Sequence, residues 1–503
     1  MKVLLINPSY KQQIDNKYEK YYIRSGSRWP HSGVKIKGTT PHYLPFPFSL
    51  AYSASLLKKE GFEVYVIDAV AMDVSEDTLL KKIAEIKPSL IFYEIVTPTV
   101  SHDLFLAGEI KEISDSAIAV GGAHASIFAP GILSENNSID FVLRGEYEYP
   151  LLELGRLIQN RNSGGFPGLV FRKGPEVIDG GYPLTVNTLD KLPVPLRDIF
   201  PSNDCPDPDV YWDGFCQLRP AIQMQSSRGC IYRCYFCLWN QVIYNNGKYR
   251  IFSVRRVVDE MQDLVSRYKA REIYFDDDNF MADKDRVKSI CEEILIRNLK
   301  VKWSCMGDAV NVTDEVLRIM ARSGCIGIKF GVESGSKKIL KTIGKPIDLE
   351  KVKAMVRLCK KKRIKTHAAF MIGLAGETKE DFKQTARFAY SLDADSLQLS
   401  IATPFPGTDF YAMAKERWPL TGINYRRFDG KISGVAGLSG LNGNNDMKKI
   451  RRKFFLGWFF KKITSPAWCL SHLPIIFRTL RGLGINFLIK QLAAVAIDEH
   501  KNR

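Results

Sequence analysis

The chain has 503 residues, enough for two to four domains and a sizeable core. Its composition is that of an ordinary globular protein: ten cysteines in so long a chain exclude a disulfide scaffold and fit a reducing cytosol, and no stretch approaches the roughly 18 consecutive apolar residues of a membrane span. The formal net charge of +17 bears on partners, since both nucleic acid and an anionic membrane surface are compatible with it.

The opening MKVLLINPSY carries too short an apolar run for a signal peptide, and Lys2–Asn7 reads as a strand. A loop rich in Tyr, Arg and Pro follows to about Pro47. Helix and strand patterns then alternate: helix Phe48–Lys59 ended by Gly61, strand Glu63–Asp68, helix Ser75–Ile86, strand Leu90–Ile95, helix Ser101–Ile113, and strands Ala117–Gly122 and Asp140–Gly145. The alternation predicts an α/β, Rossmann-like, doubly wound domain over residues 1–145. Such sheets bind ligands beyond the carboxyl ends of their strands, which selects Pro8, Asp68, Thr97, Gly121, Gly122 and His124.

Residues 146–221 turn rich in Gly and Pro and read as a linker, with a short hairpin of Gly168–Arg172 against Glu176–Asp179. The aromatic run Tyr211–Phe215 reads as packing, and Cys205 and Cys216 as ordinary thiols.

Over residues 222–430 six strand-then-helix units follow. The strands are Ile222–Ser226, Glu272–Asp276, Val301–Met306, Ile326–Val332, Thr366–Ile372 and Ser396–Ile401, with helices over 254–268, 284–297, 313–323, 349–362 and 379–391. Repeated units of this kind predict a parallel barrel, or part of one, with its site at the C-terminal strand ends. The first strand runs into a loop that spaces Cys230, Cys234 and Cys237 as C-x3-C-x2-C, with Phe236 before the third. Thiolates suit iron–sulfur clusters and zinc. Structural zinc wants four ligands, and the next cysteine is Cys291. A cubane held by three cysteines keeps one iron open.

The cysteine spacing and its aromatic resemble the signature of the radical SAM enzymes. In that family the open iron of a [4Fe-4S] cluster binds S-adenosylmethionine (SAM), whose reductive cleavage yields a 5′-deoxyadenosyl radical. Six units match that family's open (β/α)6 barrel. Gly373–Glu377 (GLAGE) and Thr403–Thr408 (TPFPGT) are similar to its strand-end motifs. The resemblance implies SAM contacts from Phe236 near the adenine, Asp276 and Asp277 at the amino group, Glu333 at the ribose and Ser334 at the carboxylate. The first domain resembles the cobalamin-binding domain that precedes many radical SAM barrels, on GFEVYVID (61–68), TPT (97–99), VGGAHAS (120–126) and GEYE (145–148). That resemblance implies cobalamin near Asp68, Thr97, Gly121, Gly122 and His124, with the two glycines letting backbone approach the nucleotide tail. One departure stands out: Val70 occupies the place of the cobalt-ligating His in D-x-H-x-x-G.

The resemblance covers about residues 1–430 and implies C-methylation of an unactivated carbon or, as the alternative, ring formation, rearrangement or carbon–carbon coupling. Residues 237–241 and 248–250 are similar to members acting on hydrophobic, lipid-like substrates. An electron donor such as flavodoxin or ferredoxin is implied. Residues 431–503 form a basic, aromatic extension. Gly434–Asn445 reads as flexible. Lys448–Lys462 places basic residues around Phe454–Phe460, and 473–480 and 485–497 are apolar helical patterns. This composition suits contact with an anionic membrane, or a helical cap on the barrel. Nucleic acid is disfavoured, although an iron–sulfur or zinc RNA-binding protein remains the alternative from another class. The expected location is cytoplasmic, with peripheral membrane association.

Overall fold

The computed structural model describes residues 1–463 apart from 40, 42, 163, 418–423 and 431–443. Its first sheet has seven strands, in the order Glu176–Asp179, Leu169–Lys173, Phe141–Leu143, Ala117–Gly121, Leu90–Glu94, Lys2–Asn7 and Glu63–Asp68. The last five are parallel. The central strand Leu90–Glu94 is buried along its whole length, as a parallel strand covered by helices on both faces must be. The hairpin expected in the linker completes this sheet: Phe171 pairs with Phe141 and Leu169 with Leu143, and Leu169 and Val170 are fully buried. The first sheet therefore ends at Asp179 rather than at residue 145.

A second correction concerns residues 8–47. Lys11–Gln13, Tyr18–Ile23 and His31–Ile36 form a three-stranded antiparallel sheet where a loop was expected. These strands are too polar to show an apolar alternation. Ion pairs support them instead, with Lys35 held between Glu19 and Asp73.

The second large sheet has six parallel strands in sequence order: Ala221–Met224, Glu272–Phe275, Lys302–Gly307, Cys325–Glu333, Lys365–Ile372 and Ser396–Ile401. Sequential order with right-handed helical crossovers curls such a sheet into part of a barrel. The helices start where the sequence caps them. Thr313 accepts from Val316 N, and Thr378 forms a reciprocal cap with Asp381. In the last three strands fully buried residues alternate with half-buried ones, so Lys329, His367 and Gln398 share the other face. The linker closes the bottom, where the Phe215 ring fills the space a Cβ would take at Gly327.

The two sheets meet through side chains. Leu238, Val242, Phe405 and Phe428 from the barrel pack with Ala123 and Ile127 of helix Gly122–Glu135. The C-terminal helix Asn444–Ile463 lies on helix Lys379–Ser391, with Phe454 buried against Phe370, Phe382 and Tyr390. That part of the basic extension is a cap on the barrel. Most of the expected flexible run and both apolar patterns at 473–480 and 485–497 lie outside the described residues.

Candidate active site

The cysteine loop is fastened at both ends. Asp277, just past the second barrel strand, accepts from Ser226 N at 2.6 Å, Ser226 Oγ at 2.5 Å and Ser227 Oγ at 2.6 Å. Asp278 Oδ2 accepts from Gly229 N at 2.9 Å. Gly229 sits at φ +86°, and a Cβ there would stand 3.0 Å from the carbonyl oxygen of Lys248, so the turn requires glycine. Further along, Tyr235 N donates to Ile343 O, Tyr235 OH accepts from Ala375 N, and Gln241 joins Cys234 O to Asp409 N. Strand ends two, four, five and six thus all grip one loop.

The first domain grips it as well. Arg228 is buried and donates to Glu146 and to Glu148, each at 2.8 Å. Glu146 also pairs with Arg250 at 2.9 Å. The GEYE run is therefore a carboxylate clamp on the residue two before Cys230.

The mouth of the barrel contains a residue that the sequence did not reveal. Arg28, from the turn between the second and third strands of the small sheet, donates to Asp276 Oδ1 at 2.8 Å, Asp276 O at 2.6 Å and Asp278 Oδ1 at 3.0 Å. Burial pushes the Asp276 carboxyl up, and Arg28 opposes that. Glu333 stands at φ +67°, a region sparsely used by residues with a side chain and a pointer to functional constraint. Its carboxylate pairs with the buried Lys345 at 2.9 Å. Ser334 faces inward, within 3.0 Å of Thr385 Oγ1, and accepts from Ser336 N. Phe236 is half-buried beside Tyr235. Asp277 and Ser334 thus support the mouth from behind, whereas Asp276 and Glu333 are held there by cations.

In the first domain Asp68 is fully buried and accepts from Asn7 Nδ2, Ala71 N and Tyr211 OH. Burial raises its carboxyl to about 6. His124 is buried, 3.2 Å from Thr97 Oγ1, with its ring against Phe128 and Tyr425. Burial lowers its imidazole to about 4. The expected purpose of the two glycines needs correction. A Cβ at Gly121 would meet the Phe92 ring at 2.8 Å, and one at Gly122 (φ +88°) would meet Glu94 Cβ and Ile95 O at 3.1 Å. The protein's own packing demands glycine at both. Gly122 and Ala123 still line a small cleft, together with Leu238, Trp239 and Ile243 from the segment after Cys237. The strand ends of the first sheet and the segment that follows the cysteine loop therefore share one cleft.

Residues 224–389 match the model of the Radical SAM superfamily, and residues 34–155 match the model of the B12 binding domain. An uncharacterised methyltransferase of Pyrococcus horikoshii is 30% identical over 452 residues, spanning 89% of this chain and 95% of that one. The chain belongs to the radical SAM superfamily, in the group that carries a B12 binding domain. The anaerobic magnesium-protoporphyrin IX monomethyl ester cyclase of Cereibacter sphaeroides is 28% identical over 414 residues, covering 77% of this chain and 62% of the cyclase. The structure of the radical S-adenosylmethionine methyltransferase TsrM from Kitasatospora setae, solved with cobalamin and a [4Fe-4S] cluster, shares the fold. Its TM-score is 0.62 at 20% identity, over 83% of this chain and 75% of that one.

The protein is thus an enzyme of a superfamily that uses a [4Fe-4S] cluster, SAM and, in this group, cobalamin. It acts on a small molecule and draws electrons from a donor, as the superfamily does. The residues present suit these groups. Burial pushes all three loop thiols up, Cys237 to about 12, a penalty that coordination to iron removes by taking the thiolate directly. Gln225 Oε1, Asn240 Oδ1 and Asn279 Oδ1 are buried near this loop without a hydrogen bond, polar capacity that the protein leaves unused. Small residues facing an apolar, aromatic wall suit a flat macrocycle. Val70, in place of the cobalt-ligating His, is buried in the core. No helix among the described residues is long and apolar enough to cross a membrane.

Proposed function

We propose that this enzyme methylates an unactivated carbon of a hydrophobic small molecule in a cobalamin-dependent reaction. The observation that carries the reading is the shared cleft, lined by Gly122 and Ala123 of the B12 binding domain and by Leu238 and Trp239, which follow Cys237 in the chain. When bound, the cluster and SAM supply a radical that removes a hydrogen atom, and cobalamin supplies the methyl group. Cys230, Cys234 and Cys237 hold the cluster. Asp276, now paired with Arg28, would take the SAM amino group, Glu333 would take the ribose hydroxyls, and Phe236 would pack by the adenine. Asp277 and Ser334 fix the loops that present these groups. Thr97 and His124 border the cobalamin side, and Asp68 shapes the turn beneath it. Leu238, Trp239 and Ile243 on the cobalamin side would help to exclude water from the reacting centre, and the hydrophobic substrate follows from the likeness of residues 237–241 to members acting on lipid-like molecules.

Ring formation is the second reading, favoured by the likeness to the Cereibacter cyclase. Peripheral membrane contact belongs to the same proposal: the C-terminal helix buries Phe454 in the barrel and leaves Lys453 and Phe460 exposed. The test is an anaerobic assay of the reconstituted, cobalamin-loaded enzyme with reductant and SAM. Formation of 5′-deoxyadenosine together with S-adenosylhomocysteine supports methyl transfer. 5′-Deoxyadenosine alone favours ring formation, and neither product overturns both.

A further inference from the structure

The cysteine loop reaches the surface at one place. Ile231 is 49% exposed and Arg233 is exposed, although Cys234 beside them is buried. Helix Lys337–Thr342 abuts this spot: a Cβ at Gly344 would stand 2.7 Å from Arg233 O, and Tyr235 N donates to Ile343 O. The helix turns Ile339 and Leu340 inward and leaves Lys337 and Lys341, one turn apart on one face, in solvent. Lys248, whose carbonyl lies against Gly229, is exposed on the other flank of the loop. None of Arg233, Lys248, Lys337 and Lys341 has an ion-pair partner among the described residues. Lys338, on the same helix, is paired with Asp381 and so is not counted in this group. An apolar tip ringed by unpaired cations is a docking surface for an anionic protein.

We propose that Arg233, Lys248, Lys337 and Lys341, around the exposed Ile231, form the docking surface for an acidic one-electron carrier protein. The proposal rests on the assignment of the cluster to Cys230, Cys234 and Cys237, because only then does this patch lie over the centre to be reduced. The transfer moves one electron from the carrier to the cluster, and no atom or proton moves with it. The basic charges attract the carrier over a long range and hold it over the exposed Ile231 of the cysteine loop.

The test is binding of flavodoxin to the anaerobic holoenzyme by titration calorimetry, at low and high salt. In R233E/K337E/K341E the Kd rises about tenfold or more at low salt, and the salt dependence shrinks. K337E/K341E, which leaves the cysteine loop intact, gives the same direction at equal iron content. The control K58E/K59E/K81E changes net charge equally on the first domain and keeps the wild-type Kd. An unchanged Kd in both patch variants overturns the proposal, and so does an equal rise in the control. Retained flavodoxin binding with lost binding to phosphatidylserine vesicles also overturns it and makes the patch a membrane surface. A wild-type holoenzyme that makes no 5′-deoxyadenosine with reduced methyl viologen, a small reductant that needs no docking, refutes the radical SAM assignment itself and takes this proposal with it.

Discussion

Replacing Arg228 by Met tests whether the first domain holds the cysteine loop in place. The Arg228 side chain is 4% exposed, and its partners Glu146 and Glu148 are 10% and 3% exposed. Removing one member of a buried pair leaves an uncompensated charge and costs about 3–5 kcal/mol. Glu146 keeps Arg250, so the stranded charge is mainly Glu148, and the lower end applies. At about 1.4 kcal/mol per decade, 3 kcal/mol is about a hundredfold increase in local opening. Hydrogen exchange of the peptide over residues 226–237 in the unloaded protein reads this directly. Arg228→Lys restores little, because one ammonium cannot reproduce a fork that serves two carboxylates. A change below about tenfold, the range of an exposed ion pair, refutes the clamp.

Phe454→Ala removes the anchor of the C-terminal helix, at a cost of about 3–5 kcal/mol for a buried phenylalanine, and limited proteolysis should then release residues after 443 well before the barrel is cut. Burial raises the Glu377 carboxyl to about 8. The folded state then holds a proton that the unfolded chain gives up near its ordinary value of 4.5, so stability falls as pH rises between them and levels off above about 8. Glu377→Gln should flatten that fall, read as urea midpoints at pH 6 and pH 8; an unchanged slope assigns it elsewhere. Arg28→Ala frees Asp276 and Asp278, so SAM should bind several-fold more tightly in equilibrium dialysis, and weaker binding would falsify the view that Arg28 competes for that site.

Much of the barrel was legible because each strand is a short apolar run followed by a capped helix, as at Thr313 and Thr378. The cysteine loop was legible from its spacing together with the aromatic Phe236 before the third cysteine, since spacing by itself left zinc open. The polar strands KQQ, YEKYYI and HSGVKI were not, because ion pairs and backbone ladders support them rather than an apolar face. The hairpin over 169–179 was seen, but its membership of the first sheet depends on pairing with Phe141–Leu143, which no local pattern encodes. Arg28 meeting Asp276 across 248 positions is a contact of the same kind. Gly121 was visible as a constraint, yet whether its missing Cβ admits a ligand or the Phe92 ring is a question of packing.

The central claim is that one chain holds an iron–sulfur cluster on Cys230, Cys234 and Cys237 and cobalamin beside it. The most direct measurement is metal analysis with electron paramagnetic resonance on anaerobically reconstituted wild type and Cys234→Ala. The account predicts about four irons and four sulfides with about one cobalt per wild-type chain, and a reduced-cluster signal that shifts when SAM is added. It predicts that Cys234→Ala loses that signal and keeps the cobalt. Zinc in place of iron, or a cluster signal indifferent to SAM, contradicts it.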